Sequence, residues 1–377
     1  MILVSGEPLL SPGLLARTLV PLPTSNARAA SSGRLGAMLS GSPRLYAYGR
    51  QALTAGLSGL PPGDVMCPAY VCDTAVDGIR AAGRRPRYFR VDSRLRTDWE
   101  SMPESIGCAA FLLVHYFGFR SDLDSAAKFC ADRGLVLIED CAHAFLSRVA
   151  GLDVGTRGQL AVYSWRKFLP ITRGGALVEN GHMSGANGPS PIKCGRPASG
   201  WMEALRQAGK WGLFRSGSRG ALTVLGGLLS DERPPLTSTS ANPEPPDAFA
   251  SNVLAAESSR LQLTAAVHRR NYRELSQRLR SSLRTGSRVR FLFDDPVDDT
   301  APWCLPLLLP DMTSRDRLVE RLLRRGIGAW TWPDLPQDVT PETWPSATDL
   351  AGRTLCLPVH RDVDDRRLDY VAQTIAG

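Results

Sequence analysis

The sequence predicts an α/β protein, with a mostly parallel sheet in a large domain and a smaller α/β domain at the C-terminal end. Three observations predict it. Short apolar runs alternate with helix-like segments from about residue 46 to 180. A Gly-, Pro- and Ser-rich stretch, residues 181–246, then breaks that rhythm. Beyond it a long helical pattern leads into a second strand–helix series. A chain of 377 residues has room for both units.

Taken in order, residues 65–70, 87–91, 109–114, 136–139, 160–163 and 175–178 read as strands, being short apolar runs bounded by polar or turn-forming residues. Residues 121–133 read as a helix because Leu123, Ala126, Ala127 and Cys130 fall on one face. Strand–helix–strand alternation at this spacing predicts a parallel sheet with helices on both faces. The run 238–246 is of low complexity, and loops that long in a compact domain are functional or disordered. Residues 248–283 read as one long helix with many arginines on its outer face. A strand at 303–309, a helix at 314–325, a strand at 353–358 and a closing helix at 364–375 complete the chain. The expected division is a large domain over 1–270 and a small one over 271–377.

Composition excludes several classes. The apolar fraction of 43% and charged fraction of 22% are those of a globular protein. No apolar run is long enough for a membrane span, and residues 1–23 lack the basic start and cleavage site of a signal peptide, so the expected location is the cytoplasm. None of the eight cysteines forms a CxxC pair, which argues against a zinc site or a disulfide framework and predicts no metal. The net charge of +8 comes from arginines scattered along the chain rather than from one basic block, so no nucleic-acid partner is expected. The same charge favours a phosphate-bearing or otherwise anionic substrate. Four lysines occur, Lys128, Lys167, Lys193 and Lys210, and each stands out in so arginine-rich a chain because arginine cannot form an imine.

The strongest chemical cluster is Val136-Leu-Ile-Glu-Asp140 followed by Cys-Ala-His143. An apolar run ending in a carboxylate puts Asp140 at the carboxyl end of a buried strand, where α/β folds build their sites. A second apolar strand runs through Ser164 to Lys167, and the loop closes on Gly174-Gly175. From the residues alone, Asp140 and Lys167 are either parts of a reactive site or a plain ion pair.

These segments resemble the DegT/StrS family of pyridoxal-phosphate-dependent sugar aminotransferases. Tyr48-Gly-Arg-Gln-Ala-Leu53 is similar to the family's opening helix start, and Gly63-Asp-Val-Met-Cys-Pro-Ala-Tyr70 to its next strand. Val114-His-Tyr-Phe-Gly118, Glu139-Asp140-Cys-Ala-His143, Lys167 with Gly174-Gly175, and Arg353-Thr-Leu-Cys-Leu-Pro-Val-His360 follow in the family's order. The resemblance implies the three-layer fold of pyridoxal-phosphate-dependent transferases and that cofactor, pyridoxal 5'-phosphate. It implies that Lys167 carries the cofactor as a Schiff base and shuttles a proton, that Asp140 pairs with the pyridine nitrogen, and that His143 reaches the ring-oxygen side. Gly49, Arg50, Gln51 and Ser164 would hold the phosphate. The plain alternatives are a surface hydrogen bond for His143 and an ordinary strand-end serine at Ser164.

The departures matter as much. Ser164 and Lys167 are three apart where the family has five, which puts Ser164 in doubt. Cys72 stands where relatives place an aromatic residue against the cofactor ring, leaving Tyr70 or His115 as the expected cover. The family's asparagine–aromatic–arginine stretch, which reaches across a dimer interface, is here Asp247-Ala-Phe249. The implied activity moves an amino group from an amino acid, glutamate by expectation, to a ketone of a nucleotide-linked sugar. A same-fold enzyme acting on a non-sugar ketone or catalysing elimination, and a non-enzymatic regulator, are the alternatives. A homodimer is the expected assembly.

The segment 200–229 interleaves Trp201, Leu205, Trp211, Leu213 and Phe214 with Arg206, Lys210, Arg215 and Arg219. Two readings stay open for it: a weak peripheral contact with an anionic membrane, or a helix packing its apolar stripe on the large domain. The glycines at 209, 212, 217 and 220 weaken a long helix and favour the packed reading.

Overall fold

The computed structural model describes residues 2–19, 43–149, 151–180, 198–217, 244–283, 286–297 and 299–377. Helix α1 (Pro12–Leu19) precedes β1 (Arg44–Tyr46), α2 (Gly49–Ser58), β2 (Asp64–Pro68), α3 (Asp73–Ala81), β3 (Pro86–Phe89) and β4 (Cys108–Val114). Then come α4 (Leu123–Arg133), β5 (Val136–Asp140), the small hairpin β6 (Arg148–Val149) and β7 (Leu152–Asp153), β8 (Leu160–Ser164) and β9 (Gly175–Glu179). The seven-stranded sheet has the order β1-β9-β8-β5-β4-β2-β3. Strands β3, β2, β4, β5 and β8 run parallel, and β9 is antiparallel to both its neighbours.

The predicted strands form where expected because their side chains are covered on both faces. Every residue of β2 and β8 is buried, and so are the last five of β4. Local signals set the helix ends. Asp122 caps α4 by accepting the Ser125 N–H, and Gly134 ends it in a left-handed conformation (φ 64). Between α2 and α3 the backbones nearly touch: a Cβ on Gly78 would lie 2.9 Å from the Arg50 carbonyl oxygen.

Helix α5 (Ala198–Ser216) follows, then α6 (Ala248–Glu257) and α7 (Leu261–Ser282). The single helix expected over 248–283 is thus broken by a 3₁₀ turn, Ser258–Arg260. The Ser258 hydroxyl turns back to the Ala255 carbonyl (2.8 Å), the local competition that makes serine a poor helix interior residue. Glu257 is fully buried at this joint, paired with Arg17 at 2.9 Å and with Arg361. The second sheet, order β10-β11-β13-β12, is built from β10 (Arg290–Phe291), β11 (Cys304–Leu308), β12 (Trp330–Thr331) and β13 (Thr354–Pro358). Helices α8 (Met312–Arg324), α9 (Pro345–Arg353) and α10 (Asp365–Ala376) accompany it.

The division expected at residue 270 falls inside α7, where the packing changes hands. Leu261 and Ala265 belong to the core around Phe145 and Trp165, whereas Tyr272, Leu275 and Leu279 belong to that of the second sheet. The start of the chain departs from the expected division: Val4 pairs with Ile327 and is buried in this second core. In α5, Ala204 and Gln207 are buried while Met202 and Leu205 are exposed, and α5 packs on α6. Of the apolar residues expected to form the packed stripe, Leu205 is thus exposed, and Trp211, Leu213 and Phe214 are half-buried. The Trp201 side chain and residues 222–229 lie outside the described residues, as does most of 181–246. No described helix is long and apolar enough to cross a membrane.

Candidate active site

Neighbouring parallel strands β5 and β8, with Asp140 opposite Val162, bring Asp140 and Ser164 to the same edge of the sheet. Directly after Ser164 the chain makes a 3₁₀ turn, Trp165–Lys167. Trp165 is fully buried beside Phe145 and Phe168, and its N–H bonds the Gly174 carbonyl at 3.0 Å. This anchor leaves Arg166 and Lys167 on the pocket wall. The start of α2 closes the same pocket with Tyr48, Gly49 and Arg50, and Cys72 and Thr74 add a further side. The Gly174-Gly175 turn makes the approach possible. A Cβ on Gly175 would stand 2.4 Å from the Tyr48 carbonyl carbon and 2.6 Å from the Gly49 nitrogen, so only glycine lets β9 lie against the helix start.

Asp140 and Lys167 face this pocket without an ion pair to each other or to any other described residue, so the plain ion-pair alternative is not what forms. One Asp140 oxygen accepts the Ala142 N–H at 2.9 Å, and the other has no protein partner among the described residues. Burial pushes the carboxyl of Asp140 above its usual range, against the opposing pull of the Ala142 N–H and the Lys167 charge. Burial likewise lowers the Lys167 amine to about 8, with the Arg166 guanidinium acting in the same direction. The Lys167 Nζ stands 4.6 Å from the ring centre of Trp303.

His143 lies behind the lysine. Its ring stacks on Trp303 with centroids 4.5 Å apart, and its Nδ1 accepts the Phe117 N–H at 3.3 Å. Burial first, then the Lys167 and Arg166 charges, hold it well below the ordinary histidine pKa. It is therefore neutral, with its proton on Nε2. Phe117 accepts a left-handed backbone (φ 55) that turns its N–H to His143 and its carbonyl to the Trp303 N–H at 2.9 Å. Local strain of this kind collects at functional sites.

Of the residues singled out from the sequence, Lys167, Asp140, Gly49, Arg50, Ser164 and Cys72 line one pocket, and His143 adjoins it. Gln51 is buried in the first turn of α2, off the lining. Tyr70 is elsewhere: its ring stacks on Trp332 at 4.2 Å and its hydroxyl meets the Thr354 Oγ1 at 3.1 Å. His115 is also elsewhere, bonded through Nε2 to Glu139 at 2.9 Å. Glu139 further accepts the N–H groups of Gly155, Arg157 and Gly158, so this pair braces the loop before β8. Asp247 caps α6 by accepting the Ala250 N–H, and Phe249 is buried in its own chain's core. Sequence reasoning missed Thr74, Arg166 and Trp303. The short Ser164–Lys167 connection was the available signal for Arg166, since it leaves only Trp165 and Arg166 between the serine and the lysine.

Residues 51–183 match the DegT/DnrJ/EryC1/StrS aminotransferase family. A dTDP-4-dehydro-2,3,6-trideoxy-D-glucose 4-aminotransferase of Saccharopolyspora spinosa is 27% identical over 344 residues, covering 85% of this chain and 79% of that one. The chain is thus similar to this family over residues 51–183, and to that relative over most of its length. A GDP-perosamine synthase of Vibrio cholerae is 31% identical over 128 residues, 32% of this chain and 35% of that one. Among solved structures, the aminotransferase TlmJ from Streptoalloteichus hindustanus matches all of this chain and 98% of its own at a TM-score of 0.70 and 22% identity. Helicobacter pylori PseC, an aminotransferase involved in the biosynthesis of pseudoaminic acid, matches at 0.71 and 15%, with the same coverage. The fold is that of the pyridoxal-phosphate-dependent aminotransferases.

The cofactor of the DegT/DnrJ/EryC1/StrS family, pyridoxal phosphate, fits the residues present. Asp140 offers a carboxylate oxygen without a protein partner to a ring nitrogen. Lys167 offers an unpaired amine. Gly49 starts α2 on the pocket lining, a helix N-terminus suited to phosphate.

Proposed function

We propose that this aminotransferase moves an amino group from glutamate to the ketone of a nucleotide-linked sugar, in polysaccharide or secondary-metabolite biosynthesis. The observation that carries the reaction type is the pairing of Lys167 and Asp140 across one pocket with neither consumed by an ion pair. The sugar rests on the names of the relatives. When bound, the cofactor supplies an electron sink for the carbon that loses or gains a proton. Lys167 holds it and moves that proton, which its lowered pKa suits. Asp140 holds a proton on the ring nitrogen. His143 presents its Nε2–H toward the ring-oxygen side, and the N-terminus of α2, with Thr74 and Ser164, receives the phosphate. We further propose a cytoplasmic homodimer, for which the measured mass of an active preparation is the check.

The test runs the two half-reactions separately. Glutamate alone should convert the visible absorbance of the bound cofactor to that of its amine form and release 2-oxoglutarate. A nucleotide-linked 4-keto or 3-keto sugar should then restore the first spectrum and appear as the amino sugar by mass spectrometry. Restoration by simple keto acids, but by no keto sugar in a panel of nucleotide sugars, would sink the sugar assignment.

The amine of Lys167 also sets a pH dependence. Only the neutral amine attacks the cofactor aldehyde, so the rate of cofactor capture by the emptied protein should rise with pH and be half-maximal near pH 8. A midpoint close to that of an ordinary exposed lysine would show that the pocket does not depress this amine.

A further inference from the structure

We infer that Arg166 is a binding residue for the cofactor's phosphate, supplied by the same chain one position before the lysine that holds the ring. The inference rests on the aminotransferase reading. It begins with a side chain that has no structural employment: Arg166 is half-buried, lines the pocket, and makes no hydrogen bond or ion pair among the described residues. Elsewhere in the protein, partly buried guanidinium groups are engaged: Arg84 donates to four backbone carbonyls, and Arg361 pairs with Glu257. A half-buried cation left unpaired costs stability, so a site that keeps one calls for an anion.

Position says which anion. Arg166 lines the same pocket as Gly49, Arg50, Thr74 and Ser164, the groups at and beside the N-terminus of α2. On pyridoxal phosphate, the carbon that a lysine engages lies between the ring oxygen and the phosphate arm. His143 does not line the pocket, and Asp140 offers its free oxygen to the ring nitrogen. That leaves the guanidinium groups of Arg50 and Arg166, the two cations of the lining besides Lys167, for the phosphate. Together they carry two positive charges, matching a phosphate monoester of about −1.5 to −2 at neutral pH. A planar fork of donors is also the geometry that grips phosphate oxygens in pairs.

The 3₁₀ turn is what puts Arg166 there. With Trp165 locked in the core, the next two residues leave the strand end together, one reaching the phosphate and the other the aldehyde. The adjacency also ties the two functions, because the Arg166 charge helps hold the neighbouring amine unprotonated.

The experiment titrates the cofactor-free protein with pyridoxal phosphate and, separately, with pyridoxal, which lacks the phosphate. Binding is read from the visible absorbance of the lysine-bound form and from quenching of tryptophan fluorescence. In Arg166→Gln the affinity for pyridoxal phosphate should fall about tenfold to a hundredfold, the worth of a charge-assisted hydrogen bond. The affinity for pyridoxal should change little. Inorganic phosphate should strengthen pyridoxal binding in the unchanged protein and fail to do so in the variant. Arg166→Lys, keeping the charge without the fork, should fall between. Any effect through Lys167 itself would move both ligands together, so the ratio of the two affinities isolates the phosphate. Equal losses for both ligands overturn the inference. So does unchanged affinity for pyridoxal phosphate with a raised KM for the sugar nucleotide, which would assign Arg166 to the substrate's diphosphate. If the unchanged protein captures neither ligand, the aminotransferase reading itself falls, and this inference with it.

Discussion

Replacing Lys167 by alanine should abolish the visible absorbance of the lysine-bound cofactor and leave transamination below detection. Loss of the positioned proton carrier alone is worth about 10²- to 10⁴-fold in rate, and loss of the covalent anchor adds to it. The fold should survive. The Lys167 amine pairs with no carboxylate among the described residues, so truncation orphans no buried charge, and burial already disfavours its charged form. Thermal unfolding of the variant should therefore occur at or above the temperature of the unchanged protein when both lack cofactor. Borohydride reduction followed by denaturation gives the direct check: the unchanged protein retains covalent cofactor and Lys167→Ala retains none. Covalent label persisting in the variant would move the assignment to Lys210, on α5, or to Lys193, outside the described residues.

What the sequence revealed and what it concealed divide along physical lines. The strands β2, β4, β5, β8 and β9 were legible because a strand covered on both faces is a largely apolar run, which few other structures require. The proposed catalytic pair was legible for a related reason. A carboxylate at the end of such a run, as at Asp140, and a lysine just beyond another, as at Lys167, interrupt an apolar pattern that packing alone would continue. Strands of two or three residues, such as β1, β10 and β12, carry no periodicity and went unread. Direction was harder still. Tyr70 lies two residues past the end of β2, close enough in sequence to the pocket to be assigned there, yet its ring turns to Trp332 from the second sheet. Trp303 was hidden for the same reason, since its place against Lys167 and His143 depends on how β11 docks beside the first sheet. Contacts between units separated by over a hundred residues leave no local trace.

Exchanging Asp140 for asparagine should separate turnover from binding more cleanly than any other substitution in the pocket. The amide is nearly isosteric, and its carbonyl oxygen can still accept the Ala142 N–H that the carboxylate accepts at 2.9 Å. What it cannot do is hold a proton on the ring nitrogen, because a neutral amide offers no charge to balance a pyridinium. Without that proton the ring withdraws electrons weakly, and the step that removes a proton from the substrate carbon slows. Removing one preorganised electrostatic partner of a transition state typically costs about 10²- to 10³-fold in turnover, and the loss here should be at least that. Affinity for the cofactor should change by less than about tenfold, since Lys167 and the phosphate contacts at α2 are untouched. Stability supplies an independent reading. Burial raises the carboxyl pKa of the folded protein, so its penalty is absent below the ordinary carboxylate range and fully present above the raised value. At neutral pH the cofactor-free Asp140→Asn protein should therefore unfold at an equal or higher temperature than the unchanged one, the two converging in acid. Near-normal turnover, or cofactor affinity lost in step with turnover, would remove Asp140 from the role that its position beneath the pocket gives it.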